Sequence, residues 1–154
     1  MSFSSLKIRN VSGWTMFVFG LLAFLLGLVG LIKPEILLSL LGFEVLERTQ
    51  RAAGDYTIVF ITASSMASFN MGVYYVLAAL NDLKKFYLWT VPFRAVTFTV
   101  FTLVVVAGIA PVRFLGVGLW ELAGGIATGL ALYFEREQVQ YGGQNAFEMD
   151  RVSR

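Results

Sequence analysis

Long apolar runs separated by short polar stretches dominate this chain. Four runs contain at most one charged residue each, and they cover 14–32, 56–81, 86–112 and 114–134. A helix of about 20 apolar residues spans the hydrocarbon core of a bilayer. The pattern therefore predicts an all-α membrane protein built as a four-transmembrane-helix bundle. It divides the chain into a polar N-terminal leader (1–10), a four-helix transmembrane domain (11–134) and a polar, poorly ordered tail (135–154).

The stretch between the first two runs predicts one additional short helix. Pro34 suits the first turn of a helix, and Glu35 is favourable near a helix N-terminus. Leucines and one isoleucine fill the next positions, and Gly42 ends the run. This segment is too short to cross a bilayer, so we expect a short interfacial helix between helices 1 and 2, lying in the interface or plugging the mouth of the bundle.

Small residues recur at helical spacing in the first and fourth runs. In the first run Gly20, Ala23, Gly27 and Gly30 are three and four residues apart, which predicts a face that another helix approaches closely. In the fourth run, 125–129 fits the GxxxG pattern. That pattern is compatible with a homo-oligomer or with packing inside one chain.

The composition excludes functional sites that depend on histidine or cysteine. The chain is 57% hydrophobic and 14% charged, and it contains no histidine and no cysteine. Imidazole and thiolate groups are thus absent as metal ligands, bases and nucleophiles, so we expect no metal site and no cofactor held by them. The basic residues are scattered, which argues against nucleic acid as a partner and leaves the lipid bilayer as the expected environment.

The distribution of basic residues predicts an orientation. An even number of spans places both termini on one side of the membrane. Seven basic residues fall on that side: Lys7, Arg9, Lys84, Lys85, Arg136, Arg151 and Arg154. Four fall on the other: Lys33, Arg48, Arg51 and Arg113. Because cytoplasmic loops carry the excess of lysine and arginine, both termini are expected in the cytoplasm.

Two ionisable residues interrupt the predicted spans, Arg94 in the third and Glu121 in the fourth. Such residues cost about 2.5–3.5 kcal/mol at the centre of a membrane helix, so they face the bundle interior and find partners. Arg51 is slightly preferred over Arg94 as the partner of Glu121, because Arg51 enters the second helix from the same membrane face and Arg94 is able to snorkel outward. The ion pair either holds the helices in register or forms a polar patch at an apolar pocket.

The sequence supports two main hypotheses for function. The first is a non-enzymatic accessory subunit, or a binder of a hydrophobic small molecule such as a quinone, sterol or terpenoid, acting alone, as a homo-oligomer or in a larger membrane complex. The second is a membrane enzyme on a lipid-like substrate with Glu121 as the catalytic acid or base; a transporter ranks third. The residues expected to bind the ligand are Arg51, Asp55, Asn70, Tyr74, Arg94 and Glu121.

Short motifs along the chain resemble the DoxX-like group of small four-helix membrane proteins. They are LLSLLG (37–42), RAAG (51–54), GVYYVLAAL (72–80) and WELAGG (120–125), with an arginine in the third span. The resemblance implies a four-helix bundle in which Arg51, Arg94 and Glu121 occupy recurring polar positions. It implies no settled activity, since members are associated with quinone-linked oxidoreductase subunits, with redox-related membrane complexes or with no known role.

A second segment, ERTQRA (47–52), resembles the start of the ER-x-x-RA signature of glutathione-using membrane enzymes of the eicosanoid type. Those enzymes also have about 150 residues and four helices. Two positions depart from their pattern, Asp55 and Ile58. The resemblance implies a glutathione-transferase-like membrane enzyme as an alternative.

Overall fold

The computed structural model describes the backbone of residues 7–152 and the side chains of 7–138 other than that of Arg48. Within this range the chain is all-helical. The α-helices are α1 (Val11–Ile32), α2 (Pro34–Leu40), α3 (Thr57–Leu80), α4 (Lys84–Val106) and α5 (Leu115–Val152). Short 3-10 turns occupy Arg48–Gln50 and Val112–Phe114.

Three helical segments are long and apolar enough to cross a membrane, judged by length and composition: Val11–Ile32, Lys84–Val106 and Val112–Gln138. Helix α3 is not among these three segments. It has 24 residues and no charged residue, but its serines, Asn70 and tyrosines lower its mean hydropathy. The structure therefore confirms an all-helical chain with membrane-like helices. Helix α5 includes most of the predicted tail, 135–154, as far as Val152; the order of that tail stays a prediction.

The predicted short helix is present as α2, with Pro34 in its first turn. Gly42 follows it with φ +84°, a left-handed conformation that favours glycine. Leu38 is buried, whereas Ile36 and Leu40 are exposed. Helix α2 thus presents an apolar side away from the bundle.

Helices α1 and α3 pack closely along the predicted small-residue face of α1. A Cβ atom at Gly27 would lie 2.8 Å from the Cα atom of Phe69, and one at Gly20 would lie 3.0 Å from the carbonyl oxygen of Gly72. The Ser68 hydroxyl also donates to the Ala23 carbonyl at 3.0 Å. These backbone approaches confirm that the small residues of α1 admit a neighbouring helix.

Helices α4 and α5 form the second close pair. A Cβ atom at Gly125 would lie 3.3 Å from the Cβ of Arg94, and one at Gly129 would lie 3.5 Å from Val91. The GxxxG pattern therefore packs inside the chain, against α4.

The two pairs are joined at one end, which we call the near end because α1 begins there and α3 connects to α4. Glu135 accepts hydrogen bonds from the Ser12 backbone N–H at 2.8 Å and from the Ser12 hydroxyl at 2.9 Å. The same carboxylate forms an ion pair with Lys84 at 3.1 Å. Asn10 caps α1 and donates to Asp82 at 2.7 Å. This network connects α1, α4 and α5 and the turn that follows α3.

At the opposite, far end, the segment after α2 reaches the turn before α5. The rings of Phe43 and Phe114 meet edge to face, with centroids 5.8 Å apart. A Cβ atom at Gly42 would lie 2.9 Å from the Cβ of Arg113. The segment from 42 to 43 therefore bridges the two helix pairs at this end.

Burial differs between the two halves of the bundle. We define the near half as 11–19, 71–80, 84–94 and 121–138, and the far half as 20–32, 57–70, 95–106 and 112–120. The near half holds the hydrophobic core: Met16, Phe19, Tyr75, Ala78, Ala79 and Tyr87. The buried residues of the long helices in the far half are Gly20, Gly27, Gly30, Ser65 and Gly118. Each of these five residues faces the neighbouring helix of its own pair, either α1 with α3 or α4 with α5.

The exposed residues of α1 show the same difference. In the near half they form a single stripe: Val11, Trp14 and Val18. In the far half they form a wide arc: Leu21, Leu22, Leu25, Leu26, Leu28, Val29 and Ile32. Helix α4 has no buried residue after Arg94, and the backbone of α3 stays apart from those of α4 and α5 along nearly its whole length. The far half of the bundle therefore buries fewer side chains between the helix pairs than the near half does.

Candidate functional site

Arg94 lies at the boundary between the near half, which holds the buried core, and the far half. It follows Lys84 by ten residues, which places it about 15 Å along α4 at 1.5 Å per residue. Its side chain is 2% exposed. An arginine with this burial, in a helix apolar enough to cross a membrane, is the strongest departure from the apolar pattern in the bundle.

Aromatic rings hold the guanidinium. Its Cζ atom lies 3.6 Å from the centroid of the Phe19 ring and 5.1 Å from that of Tyr75. The Phe19 ring is in turn stacked on Trp120, with centroids 5.1 Å apart. A cation over a desolvated ring gains about 2 kcal/mol. Ring stacking therefore offsets part of the cost of placing this charge inside the bundle.

Glu121 is the acidic partner of Arg94. Its Oε2 atom lies 3.9 Å from the Arg94 Nε atom, and its side chain is 23% exposed. This distance is within the range of an ion pair but too long for a hydrogen bond. The preference for Arg51 as the partner was wrong, because Arg94 stays inside the bundle rather than snorkelling and Arg51 binds Asp55 instead.

Part of the guanidinium lacks acceptors. Among the side chains that the structure describes, Arg94 Nε and Nη1 are buried and have no hydrogen-bond partner, while Nη2 makes a weak contact to the Met16 sulfur at 3.9 Å. Buried polar groups normally have partners, and hydrogen bonds to charged groups contribute about 1.5–3 kcal/mol each. The site therefore has unused donor capacity beside a partly accessible carboxylate.

Gly124 makes room for the arginine. A Cβ atom at this position would lie 2.5 Å from Arg94 Nη1 and 2.5 Å from a ring carbon of Phe19. Gly124 is one helical turn after Glu121, so the same face of α5 supplies the carboxylate and the space. Any side chain there would displace the guanidinium or the ring.

Arg51 and Asp55 form a separate ion pair just before α3. Arg51 Nη1 lies 2.8 Å from Asp55 Oδ2. Asp55 also accepts hydrogen bonds from the hydroxyl and backbone N–H of Thr57. The hydrogen bonds from the Thr57 hydroxyl and then from the Thr57 backbone N–H lower the pKa of Asp55 below its ordinary value of 3.8; burial opposes them, and Arg51 adds smaller lowering contributions. Asp55 thus accepts the first backbone N–H of α3 and binds Arg51 at the same time.

The lowered pKa of Asp55 predicts a pH dependence of stability. Because its folded-state pKa lies below the unfolded value, its stabilising contribution is complete above about pH 4 and is lost as the pH falls through the folded pKa. We expect the wild-type melting temperature in detergent to fall more than that of Asp55→Asn between about pH 5 and pH 3, by roughly 2 °C. Glu44→Gln in the same connection is the control. Equal acid-induced losses for wild type and Asp55→Asn would contradict the assignment.

The other predicted ligand-binding residues are placed differently. The Tyr74 side chain is 57% exposed and points away from the core, whereas its neighbour Tyr75 contacts the Arg94 guanidinium. Asn70 is half-buried in the far half of α3. The site therefore brings together Arg94 and Glu121 from the predicted set, with Arg51, Asp55 and Tyr74 in other environments.

Three site residues were not predicted: Met16, Phe19 and Trp120. All three are apolar residues in apolar runs, so residue type alone does not distinguish them from residues that face lipid. The only signal for Trp120 is its position next to Glu121.

Comparison of the chain with protein-family models, curated proteins and solved structures found no match. The two resemblances described above therefore stay predictions. The segment 47–52 forms an irregular stretch with one 3-10 turn between α2 and α3.

Proposed function

We propose that the chain is an integral membrane protein with four spans. Helix α3 crosses the membrane together with α1, α4 and α5, and α2 lies in the interface. Helix α3 is free of charge over 24 residues and packs along α1, and the Ser68 hydroxyl finds its acceptor on α1. The exposed Ile36 and Leu40 of α2 suit an interfacial position. The excess of basic residues at the near end supports a cytoplasmic location for both termini.

We further propose that this protein binds a hydrophobic small molecule of the quinone, sterol or terpenoid type, as a binder or as an accessory subunit. We place the apolar part of the ligand against the exposed apolar residues of the far half, and its polar head next to Glu121 and Arg94. The observation that carries this proposal is the buried Arg94 guanidinium, two of whose nitrogens find no acceptor within the described part of the chain, next to a carboxylate that is partly accessible. Apolar pockets with a few convergent polar groups are typical of small-molecule sites.

Native mass spectrometry of protein purified from membranes in mild detergent tests this function. We expect wild-type protein to retain an adduct with the mass of a small lipid. Arg94→Met removes the head-group donor and is expected to lose the adduct. Phe93→Met changes the adjacent residue, which is exposed on α4, and is expected to keep it. Wild-type protein without an adduct, or an Arg94→Met variant with an unchanged adduct, would contradict the proposal.

A second candidate function is a membrane enzyme in which Glu121 acts as a general acid or base on a lipid-like substrate. The observation that favours it is the 3.9 Å separation from Arg94, which leaves the carboxylate oxygens free for proton transfer. Incubation of the purified protein with the extracted adduct distinguishes the two functions. Conversion of the adduct to a species of different mass supports the enzyme, and return of the unchanged molecule supports the binder.

A further inference from the structure

We propose that the near end of the bundle is a binding surface for the head groups of anionic phospholipids. This end contains the Glu135 network, which consists of Asn10, Ser12, Asp82, Lys84 and Glu135. Four exposed cations lie within three residues of its members along the chain: Lys7, Arg9, Lys85 and Arg136. The inference rests on the proposed four-span fold, because the near end must lie at a bilayer surface, and it adds the class of lipid bound there.

Exposed aromatic residues place the near end at the depth of the lipid head groups. They are Trp14 on α1, Trp89 on α4 and Tyr133 on α5, which are 53%, 62% and 58% exposed. Each lies two to five residues along its helix from a member of the Glu135 network, which is about 3–8 Å at 1.5 Å per residue. Tryptophan and tyrosine are enriched at membrane–water interfaces, where their rings sit at head-group level. The Glu135 network and its neighbouring cations therefore face the phosphate groups of the lipids.

Two of the cations share a helix face with one of these rings. Lys85 precedes Trp89 by four residues in α4, and Arg136 follows Tyr133 by three in α5. Residues three or four apart are neighbours on the surface of an α-helix. All four side chains are exposed, and in each pair the cation lies on the water side of the ring. A phospholipid packed against the ring therefore brings its phosphate within reach of the cation.

The near end also carries an excess of positive charge. Within the described side chains it has five cations and three acids, at 7–9, 82–85 and 135–137. The far end is balanced, with four of each in 33–55 and at 113. Glu135 neutralises Lys84, whereas the other four near-end cations form no ion pair with any side chain that the structure describes. Each cation close to a membrane surface adds to the attraction for anionic lipid. Charge complementarity therefore favours anionic over zwitterionic head groups at this end alone.

Quenching of tryptophan fluorescence by brominated phospholipids tests this inference, because the chain has a tryptophan close to each end. Trp14→Phe/Trp120→Phe keeps Trp89 as the near-end reporter. Trp14→Phe/Trp89→Phe keeps Trp120, which is 42% exposed and lies five residues after the start of α5, as the far-end reporter. Each protein is reconstituted into phosphatidylcholine bilayers that contain increasing fractions of brominated phosphatidylglycerol or brominated phosphatidylcholine. The two quenching curves give the binding constant of the anionic lipid relative to the neutral lipid at each tryptophan.

We expect a relative binding constant of about three or more at Trp89 and of about one at Trp120, in buffer of low ionic strength. In about 1 M salt the screening length falls to about 3 Å, so the value at Trp89 should decrease to about one. Equal relative binding constants at the two tryptophans, or a preference at Trp89 that salt does not change, would overturn the proposal.

Charge variants test which residues provide the surface. Lys85→Gln/Arg136→Gln removes two exposed cations that are not members of the Glu135 network, and we expect it to lower the relative binding constant at Trp89 at least about twofold. The matched control, Lys33→Gln/Arg113→Gln, removes two exposed cations at the far end and should leave the value at Trp89 unchanged. An unchanged value in the first variant, or an equal decrease in the control, would contradict the assignment.

The same measurements separate this inference from the proposed four-span fold. In a bundle that crosses the bilayer, brominated phosphatidylcholine quenches both Trp89 and Trp120. If it quenches neither, the helices do not contact the acyl chains, and the proposed fold and this inference fail together. If it quenches both but the anionic lipid has no preference for Trp89, the fold is retained and the anionic-lipid surface is rejected.

Discussion

Valine in place of Gly27 is expected to destabilise the α1–α3 pair strongly. A Cβ atom at this position would lie 2.8 Å from the Cα of Phe69 and 2.8 Å from the carbonyl oxygen of Ser65, so it meets backbone that cannot rotate away. Overpacking against side chains costs about 1–3 kcal/mol, and a clash with backbone costs more. We expect a loss of more than about 3 kcal/mol, or roughly 10 °C in melting temperature, measured by tryptophan fluorescence in detergent.

Gly116→Val is the matched control. A Cβ atom at Gly116 meets nothing within 4 Å, so only the small difference in helix propensity changes. The control should melt within about 2 °C of wild type. Equal melting temperatures for Gly27→Val and Gly116→Val would show that α1 and α3 do not approach as closely as described.

Removing one member of the Arg94–Glu121 pair is expected to have unequal effects. Glu121→Leu leaves a guanidinium that is 2% exposed and cannot lose its proton, and isolated buried charges cost about 3–5 kcal/mol. Arg94→Met leaves a carboxylate that is already 23% exposed and can turn toward the outside of the bundle or take up a proton. We therefore expect Glu121→Leu to lower the melting temperature further than Arg94→Met.

The double variant Arg94→Met/Glu121→Leu completes the cycle. It contains no buried charge at this site, so its melting temperature should recover most of the loss seen in Glu121→Leu, a coupling of about 2 kcal/mol or more. Additive losses in the double variant would mean that the two side chains do not form a pair in the folded protein.

Much of the helical layout could be predicted, because charge and glycine mark the ends of apolar runs strongly. The run 14–32 corresponds to α1 at Val11–Ile32, and the run 56–81 corresponds to α3 at Thr57–Leu80. The run 86–112 is longer than α4, because α4 ends at Val106 and the apolar residues that follow form a turn. Hydrophobicity locates membrane-like segments but does not distinguish a helix from an apolar turn.

The charged centre of the site could also be predicted, but the partner of Glu121 could not. The position of a residue along a predicted span gives only its approximate depth in the membrane. At that precision both Arg51 and Arg94 were within reach of Glu121. The choice was decided by Phe19 and Tyr75, whose rings keep Arg94 inside the bundle. The hydrophobic pattern contains no information about such stacking.

Helix rotation explains the error between the two adjacent tyrosines. Consecutive residues of an α-helix point about 100° apart, so Tyr74 and Tyr75 cannot both face the core. In an apolar helix both faces accept a tyrosine, and no polar stripe marks the lipid side. The close approach at Gly72 orients α3 so that Tyr75 points inward.

The Glu135 network has a consequence for the order of events during synthesis. The backbone N–H of Ser12, near the start of the chain, finds its acceptor on a residue that the ribosome adds 123 positions later. The amino end of α1 therefore lacks this acceptor until α5 has been synthesised. A nascent chain that stalls before Glu135 would carry α1 without the carboxylate that completes its first turn.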